Sequence, residues 1–235
     1  MQLKIFRIHS KLIEISWPQE ISKSILTEQL LVKDFLLKEY GEGIREIRMG
    51  FNTLSLKLKL EISTTDCNDL LVEINQLPKS VQTNSFRTWE IPVCYDPSFG
   101  KDLEKLARMH QLSIEEVIQI HSSANYTLHF YGFLPGFMYL AGLDASLHTP
   151  RKDLPERLIH AGTVAIGGKQ TGIYPMDSPG GWFAVGRSPL NLYTNTNFQE
   201  NFPNIGDRVR FKPISLDEYE TILKHPKEYI QQIRS

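Results

Sequence analysis

The sequence predicts an α+β protein of two parts: alternating strands and helices over about the first 90 residues, then a turn-dense β-barrel. Three observations carry this reading. Leu54, Leu56, Leu58 and Leu60 alternate with Ser55, Lys57 and Lys59, the period-2 pattern of a half-buried strand. Ile25, Leu30, Leu31, Phe35 and Leu36 fall near helical spacing. From Gly132 to Gly181 glycine and proline recur every few residues, as tight β-turns require.

In chain order, Leu12 to Ile15 is a first short strand. A helix from Ile21 to Tyr40 follows, ended by Gly41-Glu42-Gly43. Ile44 to Met49 and Thr53 to Leu60 form a hairpin around Gly50-Phe51-Asn52. Thr65 or Asp66 caps a helix carrying Leu70, Leu71, Ile74 and Leu77, which stops at Pro78. Phe86 to Val93 closes the series as a strand. The resulting β-α-β-β-α-β order is the ferredoxin-like split unit, and the expected domains are residues 1–90 and 91–235.

Asp102 to His110 and Ser113 to His121 read as short helices. In the second, Ser113 and Glu116 make a capping box, each side chain satisfying a helix-end N–H. Val164 to Ile166, Phe183 to Val185, Leu190 to Tyr193 and Arg208 to Phe211 are short strands of a closed or nearly closed barrel. Leu216 to Ile233 is a terminal helix.

The 26 basic and 27 acidic residues nearly cancel, for a net charge of −1, so no global field favours nucleic acid or an anionic membrane. The two cysteines, Cys67 and Cys94, lack metal-ligand spacing and fit reduced thiols in the cytoplasm. No signal peptide and no apolar run of about 20 residues is present, so a cytoplasmic, non-membrane protein is expected.

Three glycine-rich segments are the candidates for chemistry: Phe133-Leu134-Pro135-Gly136-Phe137, Gly167 to Pro175, and Ser178-Pro179-Gly180-Gly181-Trp182. Nucleotide and hydrolase signatures fail here. Gly168 stands where a P-loop lysine belongs and no Ser or Thr follows Lys169; Ser178 has Met176 where a nucleophile elbow needs Gly. Lys169 offers a point charge for a carboxylate or phosphate, or is a solvated turn lysine. Gln170 and Thr171 offer hydrogen bonds to an amide or carboxylate. The N–H groups of Gly167, Gly168 and Gly172 suggest an anion-binding nest. His121 ends a helix, where it either serves a site or complements the dipole. His129 and His160 read as structural histidines. The aromatic run of Tyr126, Phe130, Tyr131, Phe133, Phe137 and Tyr139 packs a core or anchors an interface.

The stretch Phe130 to Tyr193, with FLPGF, L-x-TPR (Leu147 to Arg151), AG-x-VAI-x-G-x-QTGIYP and SPGGW, resembles the 5-oxoprolinase B-subunit family, also called the KipI or allophanate hydrolase subunit 1 family. Ile91 to His121 resembles the entry to that family's C-terminal domain. The resemblance implies a ferredoxin-like domain followed by a cyclophilin-like barrel. It implies partnership with the C subunit of 5-oxoprolinase, and in some cases with its A subunit, in opening 5-oxoproline to glutamate with ATP. ATP, with magnesium, is then a co-substrate, and no tightly bound cofactor or protein-held metal is expected. On the family pattern His121, Lys169 and Gln170 are the catalytic candidates. Gly167, Gly168, Thr171, Gly172, Tyr174, Gly180, Gly181 and Trp182 are the substrate- or nucleotide-binding candidates, and Pro175 shapes the same wall. The alternative the resemblance leaves open is an inhibitor of a sensor histidine kinase.

Overall fold

The computed structural model describes residues 3–78, 86–190, 202–226 and 229. The chain divides into two compact units, Met1–Ser85 and Phe86–Ser235.

The first unit holds β1 (Lys4–His9), β2 (Leu12–Ser16), α1 (Lys23–Tyr40), a 3-10 turn at Gly41–Gly43, β3 (Ile44–Met49), β4 (Thr53–Leu58) and α2 (Thr64–Asn75). Its antiparallel sheet has the order β1-β2-β4-β3. Ile13 and Ile15 pair across the ladder with Leu56 and Leu54, which puts all four on one buried face. Ile25, Val32, Leu36, Leu70 and Ile74 of the two helices are buried as well. The cap of α2 is Ser63, slightly earlier than the expected Thr65 or Asp66, and it forms a capping box with Asp66.

Two expectations are corrected. Phe86 to Val93 does not close this sheet, and the edge beside β2 is taken by β1, which the sequence reading left unassigned. The observed order is therefore β-β-α-β-β-α. The reason lies in burial: β5 (Thr88–Cys94) hides Trp89, Ile91, Val93 and Cys94. A strand so covered needs neighbours on both edges, and it finds them in the second unit.

That unit continues with α3 (Leu103–His110), α4 (Ile114–Ser123), β6 (Tyr126–Tyr131), β7 (Met138–Ala141), β8 (Glu156–Ile159), β9 (Thr163–Gly167), β10 (Gln170–Ile173), β11 (Ser178–Gly180), β12 (Phe183–Arg187), β13 (Arg208–Ile214) and α5 (Leu216–Lys224). Seven strands close into a barrel in the order β10-β7-β6-β13-β5-β12-β9. β5 and β13 run parallel; the other neighbours are antiparallel. Closure leaves no sheet edge to be covered. β8 and β11 form a separate two-stranded ribbon. Of the expected strand Leu190 to Tyr193, Leu190 is irregular and residues 191–193 lie outside the described residues. The expected terminal helix is seen as α5, and residues 230–233 also lie outside them.

Candidate functional site

β9 and β10 form a hairpin whose two faces have different tasks. Its ladder pairs Ile166 with Thr171 and Val164 with Ile173, so these four share one face; Ala165 pairs with Gly172 and Gly167 with Gln170 on the other. Val164, Ile166 and Ile173 belong to the barrel core. The hairpin turns through Gly168 at φ +66°, a left-handed backbone that glycine adopts without strain. Gly168 also bridges Thr149: its N–H donates to the Thr149 carbonyl at 2.7 Å, and the Thr149 N–H returns the bond at 3.0 Å. The anion nest expected at Gly167, Gly168 and Gly172 is thus not formed. Gly168 spends its N–H on Thr149, and Gly167 and Gly172 lie in paired strands.

His121 and Thr171 meet on the inner face, sealed from solvent. Thr171 Oγ1 donates to the Ala165 carbonyl at 3.0 Å, so it accepts from His121 Nε2 at 2.9 Å. Nδ1 then accepts from the Tyr95 hydroxyl at 2.8 Å. One neutral tautomer satisfies the whole chain of bonds. The ring stacks on Phe211 at 5.0 Å, and Tyr126 donates to the His121 carbonyl at 2.7 Å. Burial pushes the imidazole down to about 3. His121 therefore braces Thr171 and, so enclosed, touches no outside ligand.

This burial has a consequence for acid stability. An unfolded imidazole takes a proton near pH 6.5. The folded one does so only near 3, so in that window the unfolded state holds the extra proton and stability falls as pH drops. Unfolding free energies from urea titrations at pH 7 to 4 are expected to show a slope of up to roughly 1.4 kcal/mol per pH unit from this group. His121→Gln should flatten that slope while lowering stability at pH 7; an unchanged slope would contradict the assignment.

On the outer side of the barrel, Phe137, Ile159, Ala165, Tyr174 and Trp182 form a second apolar cluster, with Tyr139 and Leu134 against it. Phe137 meets Tyr139, Tyr174 and Trp182 with ring centroids 4.8, 4.9 and 5.4 Å apart, the last two edge to face. Two glycines make this possible. A Cβ on Gly167 would lie 2.5 Å from Trp182 Cε2 and 2.6 Å from Cγ, and one on Gly180 would strike Tyr174 Oη and Ile159 Cδ1. Over the cluster opens a cavity of about 300 Å3. It is lined by Phe133, Tyr139, Arg151, Tyr174, Gly181 and Trp182 among others. Phe133 is 61% exposed and holds a left-handed backbone at φ +61°. A bulky residue in that region is strained, and strain of this kind gathers at ligand sites.

Two cations reach the cavity, and they differ. Lys152 Nζ bonds both oxygens of Asp102 at 2.8 and 2.7 Å and also pairs with Glu156, which Lys101 contacts too. Its charge is spent. Arg151 is exposed, with its guanidinium 5.7 Å from the Trp182 ring centre, and no carboxylate pairs with it among the described residues. Its loop is fixed on both sides, by Thr149 on Gly168 and by the Lys152 N–H on the Gly181 carbonyl at 2.8 Å. Burial pushes the Tyr139 and Tyr174 phenols up, Tyr174 to about 12, so both stay neutral while the Tyr139 oxygen accepts from Arg151 and the Tyr174 oxygen from the Trp182 backbone N–H.

Of the residues expected from sequence, Tyr174, Gly180, Gly181 and Trp182 line the cavity, and Gly167 seats the Trp182 ring. Gly172 lies against Phe137, and Pro175 follows Tyr174 at the end of the same segment. Lys169 is exposed at the hairpin tip and does not line the cavity. Gln170 is buried, on the face that carries the Trp182 seat, and its Nε2 has no partner among the described residues. His160 is exposed, 3.2 Å from Asp177. The sequence reading missed Arg151 and Tyr139 as site residues. Among the described residues no cluster of His, Cys, Asp and Glu is arranged to hold a metal, and no helix is long and apolar enough to cross a membrane.

The carboxyltransferase domain, subdomain C and D, family matches residues 3–203. Over 136 residues the chain is 47% identical to the B subunit of 5-oxoprolinase from Bacillus subtilis (strain 168), covering 57% of this chain and 55% of that protein. Over 172 residues it is 39% identical to the B subunit of 5-oxoprolinase from Haemophilus influenzae, covering 72% of this chain and 79% of that one. The chain thus spans about half the length of the first relative and most of the second. The crystal structure of the Kluyveromyces lactis urea carboxylase matches 94% of this chain and 22% of its own with a TM-score of 0.78; at 17% identity this likeness shows the fold alone.

Proposed function

Because this chain belongs to the 5-oxoprolinase B-subunit family, of the carboxyltransferase subdomain C and D type, we propose that it supplies the substrate-gripping half of an ATP-dependent 5-oxoprolinase. The observation that carries the reading is Arg151, a cation without a carboxylate partner, held over an aromatic cavity of about 300 Å3. Small-molecule sites begin at about this volume. A planar lactam bearing one carboxylate matches it: the ring lies among Phe137, Tyr139 and Trp182 while the carboxylate meets the guanidinium in a two-pronged bond.

A lactam is a poor electrophile; transfer of the γ-phosphoryl group of ATP to the amide oxygen, with ADP as the leaving group, would activate it. One water then breaks the C–N bond to leave an acyl phosphate, and a second releases phosphate and glutamate. In this proposal the chain's own residues bind and orient. Arg151 fixes the carboxylate, and the aromatic walls exclude water from one ring face. The sequence offers no nucleotide-binding loop, and one unpaired arginine is too little charge for a triphosphate. ATP and its magnesium therefore fall to a partner, the C subunit of the enzyme, joined by its A subunit where one is present. Lys169 is exposed on the hairpin tip, and in this reading it meets that partner.

We also read the barrel as cyclophilin-like, and the first unit as a ferredoxin-like sheet in which β1 fills the edge expected of the last strand. The two buried, unpaired cysteines suit a cytoplasmic setting. The kinase-inhibitor alternative draws no support from the 5-oxoprolinase relatives.

The test is reconstitution. Purified chain given 5-oxoproline, ATP and magnesium is expected to release no glutamate, and addition of its cognate subunits should start ATP-dependent release. Robust turnover by the chain alone would overturn this division of labour.

A further inference from the structure

The N-terminal unit contains a groove of about 880 Å3 that the proposed chemistry leaves unused. It runs between the end of α1, with the 3-10 turn after it, and α2. Its floor is apolar: Ile13, Leu36, Leu56 and Leu70 are all buried. Its edge leaves Leu37, Tyr40 and Leu60 exposed at 48%, 41% and 77%. An apolar surface of this kind beside a polar rim marks a docking site more often than a scattered exposed leucine does.

The rim has one sign. Glu39, Glu42, Glu61, Asp66, Asp69 and Glu73 line it against a single lysine, Lys38, which lies 3.0 Å from Glu39. Some of these acids have local duties. Asp66 caps α2, Glu73 accepts from Tyr40, and Glu61 accepts from Ser10 Oγ at 3.2 Å. Glu42 and Asp69 have no ion-pair partner among the described residues. Arg7 donates to the Ile62 carbonyl at 2.7 Å, which places one cation near one end. The balance still repels anions and attracts a cation with an apolar body.

The geometry selects the occupant further. Strand addition is closed off on the floor, because β2 and β4 are inner strands with both edges paired. The walls are a helix end and a helix. A trough of that shape takes a helix whose apolar residues at i, i+3 or i+4 and i+7 enter the floor. We propose that this groove docks a basic amphipathic helix of a protein partner, its leucine-type side chains on the exposed Leu37, Tyr40 and Leu60 and its lysines or arginines on the acidic rim.

The test uses the full chain and a fluorescent Leu–Lys peptide of about 14 residues patterned as an amphipathic helix, with a Leu–Glu peptide of the same pattern as its counterpart. Fluorescence anisotropy should show the Leu–Lys peptide binding at least about tenfold tighter, and severalfold more weakly in 0.5 M salt. The exposed pair Glu42→Lys and Asp69→Lys should weaken it by about tenfold or more, and Leu37→Asp by a similar factor. Reversing an exposed acidic pair on α5, Asp217→Lys and Glu220→Lys, should leave it unchanged, with circular dichroism confirming that every variant is folded. Equal loss in the α5 pair would reduce the effect to general charge and overturn the proposal. So would equal binding of the Leu–Glu peptide, displacement of the Leu–Lys peptide by an equimolar simple polyamine, or a dimer of this chain that the Glu42 and Asp69 reversals dissolve.

Discussion

On the proposed function, replacing Arg151 with alanine is expected to lower kcat/KM of the assembled enzyme for 5-oxoproline by roughly 100-fold, the equivalent of about 2.7 kcal/mol and within the range for a hydrogen bond to a charged group. The loss should fall mainly on KM. The carboxylate, on the ring carbon bonded to the lactam nitrogen, takes no part in the bond changes; gripped alike in ground and transition states, it gives uniform binding that leaves kcat nearly untouched. Arg151→Lys should recover only part, because an ammonium cannot reproduce the two-pronged bond. Thermal stability should move by no more than about 1 kcal/mol, since the side chain is exposed and its ring contact with Trp182 and hydrogen bond to Tyr139 are worth little there. 2-Pyrrolidone, which lacks the carboxylate, gives the sharper comparison. The variant should treat it no worse than the wild-type enzyme does. A variant with an unchanged KM for 5-oxoproline would remove Arg151 from the substrate's path.

Why Arg151 escaped notice in the sequence is a matter of what a sequence can display. It stood inside the TPR motif, yet a loop arginine carries no local mark of being unpaired. Lys152 next to it looks equally available, and only the folded chain shows Asp102 and Glu156 claiming the lysine. His121, a catalytic candidate on the family pattern, lies four residues from Val117, and that spacing puts both on the buried stripe of α4. Local patterns did transfer where the physics is local. The Ser113–Glu116 capping box and the alternation of Leu54 and Leu56 hold, whereas the strand ends at Leu58 and Leu60 is exposed. β1 went unseen because an edge strand with five of its six residues exposed shows no burial alternation. β5 was found as a strand but given the wrong sheet, since period-2 patterning names a face and never a neighbour.

Gly167 joins the fold to the site. Gly167→Ala is expected to destabilise the chain by about 1–3 kcal/mol, the usual cost of forcing extra volume into a packed region. The added methyl meets the fused atoms of the Trp182 indole, a rigid plate with no flexible end to swing aside. That plate is held edge to face against Phe137 and Tyr139, at 5.4 and 5.6 Å, so it moves only by disturbing the cavity wall. The variant should therefore lose binding of 5-oxoproline together with stability, while Gly181→Ala, whose Cβ would find its nearest neighbour at 3.5 Å, should keep most of both. Urea denaturation followed by tryptophan fluorescence checks the first effect and calorimetric titration of the assembled enzyme the second. Trp182→Phe combined with Gly167→Ala decides the cause. If the methyl acts by striking the indole, the smaller ring returns part of the lost stability and the two changes combine non-additively. Simple additivity would place the damage elsewhere in the hairpin and detach Gly167 from the cavity it is argued to shape.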